Sequence, residues 1–286
     1  MDFIYSSFKK ISDLLKYDDL EKLTKIVGIN SSKDNRNKLD EISNYLVIEA
    51  LKKHENIIGF ISEENNELVF VKSQEEINKM KHTYLLFFDP LDGSKNVENN
   101  VTVGTIYCLI GYNFKTDTLN NIIEAGYCLY GTRTILVKTY KEKVLTYLLN
   151  SKDEFEYVRE IKKTEKNSLY CINSSNYYND KINSIIEKAK KEKLNMRWIG
   201  SMVADCHQVL LKGGIFMYPN TQKSPNGKIR LLYEAIPLSY IFKLLGGKGE
   251  NCNGENILDI IKTIKIKKDN IHQKTPIILY TQDNLI

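Results

Sequence analysis

Five apolar residues, Tyr84 to Phe88, run straight into Asp89-Pro90-Leu91-Asp92-Gly93-Ser94. An unbroken apolar run of this length reads as a buried strand. Pro90 lacks an N–H and is expected to end ladder pairing between the two carboxylates. Gly93 and Ser94 offer main-chain N–H groups to an anion such as phosphate. Hard cations take carboxylate oxygens and share substrate phosphates with the protein. The stretch therefore suits a site with metal on one side and phosphate on the other. Taken alone, it fits a strand closed by an Asp-Gly turn equally well.

A second stretch repeats the pattern. Ile57 to Ile61 is a short apolar strand that delivers Ser62-Glu63-Glu64. If the two strand ends are neighbours, four carboxylates converge, and cations would relieve their repulsion.

Helical periodicity covers residues 3–27, and 30–37 is a polar loop with the composition of a flap. A second helix follows, with Asp40 at its first turn, where the dipole favours a carboxylate. Strands are expected over 101–112, 122–130 and 134–140, the last two joined by a Gly131 hairpin. Residues 150–166 are polar and charged, and a boundary near 160 divides the chain into halves 1–160 and 161–286. The second half alternates strand and helix: strands at 169–173, 196–199, 215–218, 257–260 and 276–280, helices at 180–191, 202–212 and 231–245. Ser201 is the expected side-chain cap of the helix at 202. Alternation of this kind argues α/β layers.

Composition narrows the function classes. The chain has 286 residues, 42% of them hydrophobic, and a net charge of +5 spread along its length. This favours anionic small ligands over a nucleic-acid footprint. Five cysteines without a C-x-x-C pair fit buried thiols in a reducing compartment, and the four histidines lack metal-ligand spacing. No apolar run is long enough to span a membrane. A cytoplasmic protein is expected.

Asp40, Ser62-Glu63-Glu64, Asp89 to Ser94, Arg197 to Met202 and Lys228 to Glu234 occur in order, with the blocks 125–131, 200–219, 224–234 and 271–279. Together they resemble class I fructose-1,6-bisphosphatase, in the inositol-phosphatase-like sugar phosphatase superfamily, over nearly the whole chain. The resemblance implies an α/β fold (α+β layered), a stacked α-β-α-β-α sandwich. It implies two or three Mg²⁺ ions per subunit, with Mn²⁺ or Zn²⁺ as possible substitutes. Their ligands would be Glu63, Glu64, Asp89, Asp92, Glu234 and the Leu91 carbonyl. Such ions polarise a phosphate ester and lower the pKa of an attacking water. Asp40 with Glu64 would orient and deprotonate that water, and Asp34, on the polar loop, would approach when the loop closes. Asp92, Gly93, Ser94 and Arg230 would hold the 1-phosphate, with Arg230 also supporting the reaction. Lys228, Asn173, Tyr218, Arg197, Trp198 and Met202 would hold the sugar and its 6-phosphate. Arg197 would reach a neighbouring subunit's site, so a homodimer or homotetramer is implied, with no nucleic-acid or membrane partner.

Three departures from the family pattern bear on specificity. Trp198 stands where the family has Tyr, Asn176 where a Tyr is expected, and Lys95 where a small residue follows the Ser. Thr83 and Gly111 replace a Lys and an Arg that would hold the phosphate of an AMP effector; Tyr84 is kept. By the same resemblance, the chain is expected to begin after much of the segment that leads into that effector site. The reaction expected is Mg²⁺-dependent hydrolysis of the 1-phosphate of fructose 1,6-bisphosphate, without AMP inhibition, in gluconeogenesis. Sedoheptulose-1,7-bisphosphatase activity is the alternative. Inositol-monophosphatase-type activity is disfavoured by the far-phosphate set, and a non-catalytic sugar-phosphate binder by the complete set of carboxylates.

Overall fold

The strand Tyr84–Asp92 is central to the larger sheet, and it shows why the chain folds in layers. Its apolar residues alternate faces, as a pleated strand requires. Leu86 and Phe88 point to one core; Leu85 and Phe87 point to another. A strand buried on both faces needs a cover on each.

The computed structural model describes residues 1–29, 35–173 and 178–286. Among them, an eight-stranded sheet runs in the order Phe155–Ile161, Lys143–Leu149, Thr134–Tyr140, Thr118–Tyr130, Val103–Asn113, Tyr84–Asp92, Ile57–Ser62, Val69–Phe70. Neighbours are antiparallel except Ile57–Ser62 and Tyr84–Asp92, which are parallel. On its outer face Phe60, Phe88 and Tyr107 pack against Ile4, Phe8 and Ile11 of helix Asp2–Tyr17 and Leu39, Val47 and Leu51 of helix Lys38–Leu51. Its inner face, with Phe87, Cys108 and Tyr127, meets helices Met202–Lys212 and Ile236–Leu244. Beyond those helices lies a five-stranded sheet, ordered Asn195–Arg197, Leu169–Ile172, Gly214–Tyr218, Ile277–Tyr280, Lys248–Glu250. Its far face, with Ile215, Met217 and Ile278, is closed by Ile182 and Ile185 of helix Asp180–Lys191. The layers are therefore α-β-α-β-α, as expected.

Several elements differ from expectation. The first helix ends at Tyr17; Asp19 accepts N–H bonds from Glu21 and Lys22 and starts a separate short helix, Leu20–Thr24. Residues Ile26–Ile29 then form a strand rather than helix, paired with Asn35–Asn37. The charged stretch near 150 holds Phe155–Ile161, an edge strand. Edge strands carry charge because one side meets water. Ile257–Lys262 is a 3₁₀ turn, not a strand. The helix expected over 231–245 opens with a π turn, Leu231–Ala235. Four of the five cysteines are buried and all five are unbridged.

Candidate active site

The two acidic strand ends are neighbours. Ser62 sits opposite Phe88, and the Glu63 N–H donates to the Phe88 carbonyl at 3.3 Å. Glu63 therefore leaves its strand where Asp89 begins. The second strand does not stop at Asp89, as Pro90 had suggested; it continues to Asp92 through a bulge. Bulges accommodate proline because a ladder bond is already lost there. The Pro90 carbonyl accepts from Thr105 Oγ1 at 2.8 Å, and the Leu91 N–H donates to Asp89 Oδ1 at 2.9 Å.

A third carboxylate enters from the π turn, where the Arg230 N–H donates to Glu234 Oε2. Carboxylate oxygens of Glu63, Asp89 and Glu234 lie within 4.8 Å of one another, and the last two residues are buried. Burial, then repulsion from Glu63, Asp92 and Glu234, pushes Asp89 well above the usual carboxylate range. Burial, then Glu63 and Asp92, does the same to Glu234. Such a trio is satisfied by protons or by a cation, and an all-oxygen donor set fits a hard divalent ion. Buried Arg230 flanks it, with Nε 3.6 Å from Glu63 Oε1.

Asp92 performs a task not foreseen. Its Oδ2 accepts from Ser201 Oγ at 2.6 Å and from the Val203 N–H at 2.9 Å. Ser201 was expected to cap the Met202–Lys212 helix with its own hydroxyl, but makes no such bond. The cap is the Asp92 carboxylate, held high by burial and pulled down by these bonds. Gly93 makes the approach possible: φ is +75°, and a Cβ there would lie 2.6 Å from Ser201 Cβ. Ser94 then begins a 3₁₀ turn, Ser94–Asn99.

The smaller sheet brings a second group of residues. Strands Leu169–Ile172, Asn195–Arg197 and Gly214–Tyr218 are parallel, with Cys171 opposite Arg197 and Ile172 opposite Met217. Asn173 directly follows Ile172 and Tyr218 directly follows Met217, so both lie at the carboxyl ends where α/β sheets present ligands. Tyr218 is pushed up by burial first, then by the negative charges of Glu234 and Asp92. Trp198 stacks on Phe216 at 6.1 Å and leans on Tyr218 at 5.8 Å. The turn after it is fixed by Asp205, which accepts from the Ile199 and Gly200 N–H groups and is pushed up to about 6 by burial. Asn96 Nδ2 donates to the Ile199 carbonyl at 3.1 Å, tying this turn to the segment after Ser94.

Asp40 occupies the third position of its helix in a capping box with Asn37. One turn later, Asn44 accepts from Ser62 Oγ at 2.7 Å and donates to the Asn65 side chain at 2.9 Å. Residues four apart share a helix face, so Asp40 lies beside the Glu63–Glu64 turn. Glu64 is not part of the trio; it lines a groove of about 480 Å³ with Lys38, Glu41 and Asn44. Arg197 and Lys228 are exposed, and Met202 is buried in the core rather than open. Asp34 and Asn176 lie outside the described residues. Ser201 and Asp205 went unread as site residues. The one local signal was an acid in the first turn of a helix that follows the Arg197-Trp198 stretch.

The chain matches the family model described as fructose-1-6-bisphosphatase, N-terminal domain, over residues 1–160 and that of the C-terminal domain over residues 163–286. It is 34% identical to fructose-1,6-bisphosphatase 1 of Bos taurus, over 100% of this chain and 86% of the relative. It is also 34% identical to the cytosolic fructose-1,6-bisphosphatase of Spinacia oleracea, over 92% of this chain and 80% of the relative. The crystal structure of Leishmania major fructose-1,6-bisphosphatase in holo form superposes with a TM-score of 0.86 at 32% identity, covering 100% of this chain and 90% of that one. With the acidic cluster lying between two sheets of the same architecture, the chain belongs to the fructose-1,6-bisphosphatase family of phosphate-ester hydrolases.

Proposed function

We propose that the protein hydrolyses the 1-phosphate of fructose 1,6-bisphosphate to fructose 6-phosphate and phosphate, with Mg²⁺ as the working cation. The observation that carries this is the buried trio Glu63, Asp89 and Glu234 beside the Arg230 guanidinium. Divalent ions on these oxygens would neutralise the phosphate ester and stabilise the leaving alkoxide. Asp92, Glu64 and the Leu91 carbonyl would complete the ligand set. Arg230 would grip the 1-phosphate with its planar fork, and the Gly93 and Ser94 N–H groups would join it. Asp40 and Glu64 would accept the proton of the attacking water. Asn173, Arg197, Trp198, Tyr218 and Lys228 would hold the sugar and far phosphate.

The same reading assigns metal binding mainly to residues 1–160 and sugar binding mainly to 161–286. It places exposed Arg197, on an edge strand, at a subunit boundary of a homodimer or homotetramer. It also assigns the chain to gluconeogenic metabolism in the cytoplasm; no helix among the described residues is long and apolar enough to cross a membrane. AMP is not expected to inhibit. Thr83 and Gly111 line a cavity of about 440 Å³ where a Lys and an Arg would be needed. Sedoheptulose-1,7-bisphosphatase activity is the second reading, favoured by the Trp198 indole at the far end of the site.

The test is phosphate release from metal-stripped protein, with and without Mg²⁺. Fructose 1,6-bisphosphate, sedoheptulose 1,7-bisphosphate and inositol 1-phosphate are the parallel substrates, and a further arm adds millimolar AMP. Mg²⁺-dependent release from the fructose ester, unaffected by AMP, is expected. No release from any ester would overturn the reading, and the ratio of the first two substrates decides between sugars.

A further inference from the structure

His272 stands between two of the three segments that supply the carboxylate trio, the turn after Ile57–Ser62 and the Glu234 turn. Its Nδ1 is 2.8 Å from the Tyr233 hydroxyl, and its Nε2 is 2.9 Å from the main-chain oxygen of Asn65. A carbonyl only accepts, so Nε2 carries the proton. The neutral ring then accepts at Nδ1, and Tyr233 donates. Burial, reinforced by the nearby Arg230 charge, pulls the imidazole below its ordinary pKa, which suits this neutral tautomer. The two rings also meet edge to face at 6.0 Å.

Both partners adjoin carboxylates of the trio's segments. Asn65 follows Glu63 and Glu64; Tyr233 precedes Glu234. The backbone around His272 also grips the Glu234 turn directly. Arg230 pairs with Lys274, Ile229 pairs with Thr275, and the Leu231 N–H donates to the Gln273 carbonyl at 2.9 Å. The segment is thus fixed to one ligand turn by its main chain and reaches the other, 207 positions away, through the imidazole. The bridge uses no carboxylate of the trio, so it persists when those oxygens take a cation.

We propose that His272, with Tyr233, is a positioning residue that holds the Glu63–Glu64 turn and the Glu234 turn at the spacing a divalent cation requires. This rests on the metal reading given above. Groups that orient metal ligands from behind are commonly worth 10- to 100-fold in metal affinity.

The test is Mn²⁺ binding to metal-stripped protein without substrate, followed by electron paramagnetic resonance of free Mn²⁺, alongside the melting temperature of each metal-free variant. His272→Ala should weaken Mn²⁺ binding by about tenfold or more. Tyr233→Phe should weaken it by a smaller factor, and His272→Gln, whose amide N–H reaches toward Asn65, should recover much of the loss. A purely structural role would lower the metal-free melting temperature and leave Mn²⁺ affinity unchanged; that result would overturn the proposal. If His272→Ala does not fold, wild-type affinity in Tyr233→Phe overturns it equally. A wild-type protein that holds no Mn²⁺ would overturn the metal reading itself, and the bridge with it.

Discussion

Trp198 is one of the departures noted from the family pattern, and its setting shows what it is able to do. About a third of its surface is open, at 37% exposure, while one face lies against Phe216. A Cβ built on Gly200 would stand 3.7 Å from its Nε1, so the indole nitrogen faces a turn without side-chain bulk. An open edge with a single donor suits an anion. Trp198→Ala should raise KM for the preferred bisphosphate about tenfold, the scale of one lost contact of about 1.4 kcal/mol, with little change in kcat. Trp198→Tyr, which keeps a ring and a donor, should fall between. Unchanged KM in both variants would remove Trp198 from the far-phosphate site. Two residues of the acidic trio were legible in the chain because each closes an apolar run, Asp89 directly and Glu63 after Ser62; Glu234, on a π turn, was named only through the family resemblance. Ser201 was not. Its partner Asp92 is 109 positions away, and a hydroxyl before a helix reads locally as that helix's own cap.

At the scale of elements, the site depends on one junction: the end of strand Tyr84–Asp92 against the start of helix Met202–Lys212. Asp92 caps the helix, and Gly93 turns the chain away in the left-handed region, where a side chain is costly. Gly93→Ala would meet Ser201 and hold alanine at φ +75°. Metal-free protein should lose at least about 1–2 kcal/mol in urea unfolding, and activity should fall as Asp92 is displaced. An unchanged midpoint would show that the junction relaxes without this turn. The elements read correctly have a clear period or a clear stop, such as Asp180–Lys191 and Met202–Lys212. Those missed lack one or the other. Phe155–Ile161 is an edge strand whose charges hide its alternation, and Ile257–Lys262 is apolar but too short for its period to separate strand from turn.

For the molecule as a whole, two sheets and the helices between them keep Asp89, Asp92 and Glu234 from water, so stability, pH and cation are linked. Burial raises all three carboxyls above their ordinary values of 3.8, 3.8 and 4.5. A carboxyl raised on folding keeps its proton at a pH where the unfolded chain has released it. Stability of the metal-free protein therefore falls as pH rises from the unfolded values through the folded ones. His207 has the opposite sign. Burial against Tyr127 pushes it down to about 4. Its contribution is present above the unfolded value of 6.5 and lost as pH falls toward 4. The plain pH profile mixes the two, but the increment produced by a cation isolates the carboxyls, because His207 lies apart from the trio. Each carboxyl that must release its proton first weakens cation binding by about tenfold per pH unit. Added Mg²⁺ should thus raise the melting temperature markedly at pH 8 and little at pH 5, measured by scanning calorimetry at fixed ionic strength. Equal increments at both pH values would mean that the carboxyls are already ionised without metal, and that Arg230 and the helix cap alone hold their charge.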